Sequence, residues 1–145
     1  MSASKSWSNR AADSASAEPR LLVSTAATLF WYFPRTQTHQ VTHHGAGKYY
    51  GVAALDDSQR RLLVTSRPDQ DRDDMLLELD QDSGAVVRRS QLASRDTHQM
   101  IRDGERLLVA DTYRGRVLAY ALPQLNLVRT YEGFTKANHV ISSIS

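Results

Sequence analysis

From Arg20 onward, apolar runs of about four to eight residues alternate with turn residues, and the runs are too short and too rich in β-branched and aromatic side chains for helices. The pattern predicts strands throughout and is clearest in the last third of the chain. There His98–Arg102 reads as a strand, Asp103-Gly104 as a tight turn suited to positive φ, and Arg106–Thr112 as the next strand. Gly115 lies in the following turn. Arg116–Leu122 is a third strand, stopped by Pro123, which has no N–H to give a sheet, and Asn126–Glu132 is a fourth.

The same order recurs upstream with longer loops. Gly51–Leu55, Arg61–Ser66, Met75–Asp80 and Ala85–Gln91 read as four strands, with Asp82-Ser83-Gly84 as a hairpin turn. Before them, Leu21–Ala26, Leu29–Phe33 and His39–Thr42 read as the second to fourth strands of a unit, and nothing ahead of Pro19 resembles its first strand. The aromatic run Phe30-Trp31-Tyr32-Phe33 fits the core strand of such a unit. His139–Ser145 matches the first strand of a further one.

Arg-Leu-Leu-Val occurs three times, at Arg20–Val23, Arg61–Val64 and Arg106–Val109, with start-to-start spacings of 41 and 45 residues, and each copy marks the second strand of its unit. Self-similarity at about 40 to 45 residues, with short strands inside each period, is the signature of β-propeller blades. The predicted fold is all-β, a partial β-propeller with blades over residues 20–45, 49–93 and 97–134 and the start of another over 138–145. Rings hold about four to eight blades. An innermost strand alone leaves backbone groups unpaired, and an open stack exposes apolar faces, so about three blades predict a fragment of a longer product or a subunit that self-associates to complete the ring.

Composition narrows the class without naming a function. The 145 residues are 41% hydrophobic, ordinary for a globular protein. Eighteen Lys and Arg against sixteen Asp and Glu give a formal charge of +2 with the signs interspersed, so no nucleic-acid partner is expected. No run approaches the roughly 18 apolar residues of a membrane span. The absence of cysteine excludes disulfides and thiolate chemistry and fits a reducing compartment, so a cytoplasmic location is expected. Met1–Glu18, with six Ser and five Ala, cannot bury enough apolar surface to offset chain entropy and predicts a disordered tail. An organellar transit peptide is the alternative, against which Asp13 and Glu18 count.

Val109-Ala110-Asp111-Thr112-Tyr113-Arg114-Gly115-Arg116-Val117 resembles the Val-Ala-Asp-x-x-x-x-Arg-Val core of an NHL repeat, and Leu127-Val128-Arg129-Thr130-Tyr131 is similar to its closing strand. The resemblance, strongest over residues 98–134, implies an NHL-like, six-bladed propeller, with lactonases and lyases among possible relatives. Asp111 at a strand end can accept turn N–H groups while Arg116 pairs with it across the hairpin, a structural latch. The Asn pair common in the family's turn is replaced here by Arg114-Gly115, and the first two units lack the latch.

Chemistry in a propeller is sought where first strands converge on the channel. The equivalent strand starts are Tyr50, His98 and His139, and two imidazoles and a phenol at one opening suit an anionic ligand or a carbonyl group. The alternative is that each His bonds a neighbouring blade's backbone. Two His without a third ligand make a poor metal site, so no metal or cofactor is expected. The stretch from Asp69 to Asp74 resembles the opening of an EF-hand, but Asp74 stands where that loop needs Gly, and Asp80 where it needs Glu, so it reads as a solvated loop extension. His39 lies near a strand, and His43-His44 read as exposed loop beside Gly45-Ala46-Gly47.

Two functions remain open. One is a non-catalytic propeller that binds a protein or small ligand at the channel mouth through Tyr50, His98, His139, Tyr113 and Arg114. The other is a fragment of a propeller enzyme of lactonase or lyase type whose remaining active-site residues lie on other blades. The common catalytic motifs are absent, which favours binding.

Overall fold

The computed structural model describes residues 19–44, 48–58, 60–67 and 71–140. These form eleven strands, β1 (Leu21–Ser24), β2 (Thr28–Phe33), β3 (Thr38–His44), β4 (Lys48–Ala54), β5 (Arg61–Arg67), β6 (Met75–Asp80), β7 (Val86–Gln91), β8 (Thr97–Asp103), β9 (Arg106–Asp111), β10 (Arg116–Ala121) and β11 (Asn126–Tyr131). They are arranged in three antiparallel sheets, β1-β2-β3, β4-β5-β6-β7 and β8-β9-β10-β11. Each sheet is a meander, the product of short connections between consecutive strands. The architecture is all-β, a partial β-propeller of three blades, and among the described residues no helix is long and apolar enough to cross a membrane.

The repeated tetrapeptide explains the stacking. Side chains alternate faces along a strand, so the second and fourth residues of Arg-Leu-Leu-Val point one way and the third the other. In β5, Val64 joins Leu29, Tyr49, Leu77 and Leu79 between blades one and two, while Leu63 joins Leu76, Leu92, Met100, Leu107, Val109, Leu118 and Tyr120 between blades two and three. In β9 it is Leu107 and Val109 that turn back toward blade two. One motif thus supplies both sides of the joint between successive blades.

The inner-edge strands β4 and β8 run side by side, and each carries an irregularity at the same place. The β4–β5 register shifts between Tyr49 and Val52, and the β8–β9 register shifts between Thr97 and Met100. Tyr50-Gly51 and His98-Gln99 are therefore equivalent bulged pairs. A bulge adds local twist and re-aims side chains. At Gly51 a Cβ would lie 3.1 Å from Met100 Cγ and 3.2 Å from Met100 N, so the bare backbone lets β8 approach β4.

Several boundaries differ from the sequence pattern. β4 starts at Lys48 rather than Gly51, because Tyr49 already pairs with Ser66 ahead of the bulge. β3 runs on through His43 and His44, which pair with Leu29 and Thr28 instead of lying in a loop. His44 Nδ1 sits 2.9 Å from Thr28 Oγ1. The His43 ring lies 5.7 Å from that of Tyr49, and burial, with the Arg89 and His44 charges, lowers its pKa. Residues 1–18, including the predicted tail, and 141–145 of the predicted further strand lie outside the described residues; His139 and Val140 are not in a strand.

Candidate functional site

Tyr50 and His98, at the two bulges, come together: their ring centroids are 5.8 Å apart at 37°. The Arg67 guanidinium, at the end of β5, lies 4.6 Å over the Tyr50 ring, within cation–π reach. It also pairs with Asp96, whose carboxylate is 3.4 Å from His98 Nε2. Asp96 reaches both partners from a left-handed backbone conformation, φ +57°, which Asp tolerates better than most residues. One carboxylate therefore sits between an arginine and an imidazole from successive blades.

Asp96 belongs to the loop that crosses from blade two to blade three, and that loop is held from both sides. On blade three, Asp111 is fully buried and receives Arg116 Nε at 2.7 Å on one oxygen and the Arg95 N–H at 3.0 Å on the other. Arg116 also donates to the Ala93 carbonyl at 2.6 Å, and the Ala93 N–H donates to the Tyr120 hydroxyl at 2.9 Å. Burial raises the Tyr120 pKa, against the lowering effect of that N–H. The Asp111–Arg116 pair thus fastens one blade to the next.

On blade two, Asp74 accepts the Thr97 N–H at 2.7 Å, and its own N–H donates to the Ser94 carbonyl at 2.8 Å. The Asp74 carboxyl is pushed above the usual carboxylate range by burial, and the Thr97 bonds and the Arg67 charge offset this only in part. Its second oxygen faces Arg67 Nε at 3.6 Å, beyond hydrogen-bond length. Asp73 meets Arg114 at 2.8 Å and Arg95 at 3.3 Å. Burial opposes its ionisation, but the bond to Arg114 and the two guanidinium charges prevail and hold its pKa below the ordinary value. The reading of this stretch as solvated is therefore corrected at Asp73 and Asp74, whose side chains turn inward to blade three. Asp71 and Arg72 are exposed, and Asp69 and Gln70 lie outside the described residues.

The residues singled out from the sequence take up different places. Tyr113 is 66% exposed, its ring lies 5.1 Å below the Arg95 guanidinium, and with Arg67, Arg95 and Asp96 it lines a recess of about 270 Å³. Arg114 is occupied by Asp73, by Asp111 at 3.5 Å and by the Ala93 carbonyl at 3.1 Å; the bond to Asp73 first, then the Asp111 and Asp73 charges, raise its pKa against the effect of burial. His139 is exposed and no contact joins it to Tyr50 or His98; its neighbour Val140 donates its N–H to Gln99 Oε1 at 2.8 Å, which sets this segment beside β8. Arg67, Arg95 and Asp96 were not picked out. Their position next to strand ends was the available signal.

Among the described residues no three His, Asp or Glu side chains converge as a metal site would require. A larger recess, about 430 Å³, opens at the outer rim between blades two and three beside Arg88 and Pro123. There Arg88 is taken up by Glu78 at 2.9 Å and the Pro123 carbonyl at 2.9 Å, so the aromatic and charged cluster at the inner end of the blades is the better candidate.

No family model matches the chain, and no match was found among curated proteins. A crystal structure of a nidogen/laminin complex, which contains a β-propeller, is similar over 73% of this chain at a TM-score of 0.56 and 14% identity. The chain spans 38% of the length of that protein, and the likeness is one of fold, a stack of propeller blades.

Proposed function

We propose that the chain is an NHL-like, non-catalytic propeller module that binds a protein, or a small ligand, at the inner face where Tyr50, His98, Tyr113 and Arg95 gather. The NHL assignment rests on the Val109–Val117 and Leu127–Tyr131 pattern. The binding assignment rests on one observation above all: Tyr113 stands two-thirds exposed with Arg95 stacked on it, beside a recess walled by Arg67 and Asp96. Exposed Tyr and Arg held in fixed geometry are the residue types that dominate protein interfaces. The similar structure is itself a complex of two proteins, which supports a protein as the occupant.

In this reading Arg114 and Asp73 brace the face rather than contact the partner, and His139 lies at its edge. A photo-crosslinking residue at Tyr113 in the protein expressed in its source cells tests it. One discrete adduct is expected from position 113, absent when Arg95→Ala is added and absent from position Val87 on the outer strand β7. Adducts of the same pattern from both positions, or none from 113, would sink the reading.

A further inference from the structure

Four charged or aromatic side chains wall the recess beside Tyr113, and two of them are arginines with hydrogen-bonding capacity left over. Arg95 gives its Nε to Asp73 at 3.3 Å, and among the described residues its two terminal nitrogens have no partner. Arg67 gives Nη2 to Asp96 and faces Asp74 with Nε at 3.6 Å, which leaves Nη1 without a partner among the described residues. The N–H groups of a guanidinium lie in its own plane, so the Tyr113 ring beneath Arg95 and the Tyr50 ring beneath Arg67 consume none of them. Stacking instead fixes where those donors stand.

The acceptors on this face are already divided. Asp96, the one carboxylate on the recess wall, is shared by Arg67 and the His98 imidazole, and Asp73 is shared by Arg114 at 2.8 Å and Arg95. Asp111 is taken by Arg116 and the Arg95 backbone N–H. The recess therefore wants an acceptor that can meet several N–H groups at once. A carboxylate meets that need, because its two oxygens match the guanidinium fork. A phosphate dianion also fits the fork, but its second charge lies against the Asp96 carboxylate, which makes it the poorer guest. At about 270 Å³ the recess is smaller than the roughly 300 to 1,000 Å³ of drug-sized ligand sites, a size that suits one side chain.

We infer that this recess is a carboxylate-binding subsite which, on the binding face proposed above and resting on that reading, takes an acidic side chain of the protein partner. Arg95 donates to the carboxylate through its terminal nitrogens, Arg67 adds a second positive charge, and Tyr113 holds Arg95 in place from below. Asp96 limits the guest to a single negative charge.

Acetate, the carboxylate alone, is the probe. Titrated into the isotopically labelled intact protein at constant ionic strength, it should shift the backbone amide resonances of residues 95–98 and 113 along a saturating curve, and inorganic phosphate should bind more weakly. Arg95→Gln should weaken acetate binding about tenfold or more, the loss expected for a hydrogen bond to a charged group. Tyr113→Leu, at an exposed ring outside the core, should also weaken it, without loss of the folded spectrum. No saturable shift, tighter binding of phosphate than of acetate, or two variants that bind acetate as the parent does would each overturn the inference. Crosslinks from position 113 without acetate binding leave the binding face standing and remove the carboxylate. Acetate binding without crosslinks does the reverse, and keeps the subsite for a small organic acid.

Discussion

Asp111 and Arg116 face each other across the β9–β10 hairpin at 2.7 Å, and what they grip is a loop from the blade before: the Arg95 N–H on the carboxylate and the Ala93 carbonyl under the guanidinium. The pair is buried at Asp111 and only partly exposed at Arg116, so little water is available to replace a lost partner.

Asp111→Ala should therefore destabilise the fold by about 3 kcal/mol or more, the range for removing one member of a buried, hydrogen-bonded ion pair. Arg116→Lys keeps the charge but loses the second donor to Ala93, and should cost about 1 kcal/mol. Urea midpoints of the two variants against the parent provide the comparison. An Arg116→Lys variant as stable as the parent would show that charge alone, and not the grip on the loop, matters.

The pH dependence of stability should carry two opposite signatures from adjacent residues. Asp73 has a folded pKa below the ordinary 3.8, so its contribution is present above the unfolded value and is lost as pH falls through the folded one. Asp74 has a folded pKa above 3.8, so protonation favours its folded form, and stability is lost as pH rises from the unfolded value through the folded one. Asp74→Asn should abolish the loss on the rising side and keep the acid loss; Asp73→Asn should do the reverse. Denaturant titrations between about pH 2 and 7 would show this.

Asp96 separates backbone from side-chain effects. Its φ of +57° makes a non-glycine residue there cost about 1 kcal/mol relative to Gly, while its carboxylate is partly solvated between Arg67 and His98. Asp96→Gly should be close to neutral in thermal stability, and Asp96→Ala less stable than Asp96→Gly by about 1 kcal/mol. The order Gly above Ala is the result to look for.

Two turn glycines make a controlled pair. Gly104 and Gly115 have φ of +59° and +61°, but a Cβ at Gly104 meets nothing within 4 Å, whereas one at Gly115 would lie 2.1 Å from the Phe134 carbonyl oxygen. Gly104→Ala should cost about 1 kcal/mol for the left-handed backbone alone. Gly115→Ala adds a collision with backbone and should cost at least about 2 kcal/mol more. Comparable losses at both sites would mean the 132–135 segment gives way freely.

The strands were legible because period-two alternation and turn residues act over a few neighbours, and the Asp111–Arg116 pair because both residues lie in one hairpin. The candidate site was legible only in outline. Tyr50 and His98 could be matched by counting through the repeat, but Arg67 meets Asp96 across 29 residues and Asp74 meets Thr97 across 23, through the stacking of one blade on another, and no local pattern reports that. Arg114 looked like a free contact for the same reason. Its partner Asp73 sits 41 positions upstream. The early start of β4 was hidden by its bulge, which breaks the alternation at Tyr50-Gly51.

The missing methyl group at Gly51 sets more than a local contact. Met100 Cγ and N stand 3.1 and 3.2 Å from where that group would be, so an alanine there would make β8 give way by a few tenths of an ångström. The two inner strands touch through the one residue type that brings no side chain to the seam between blades two and three.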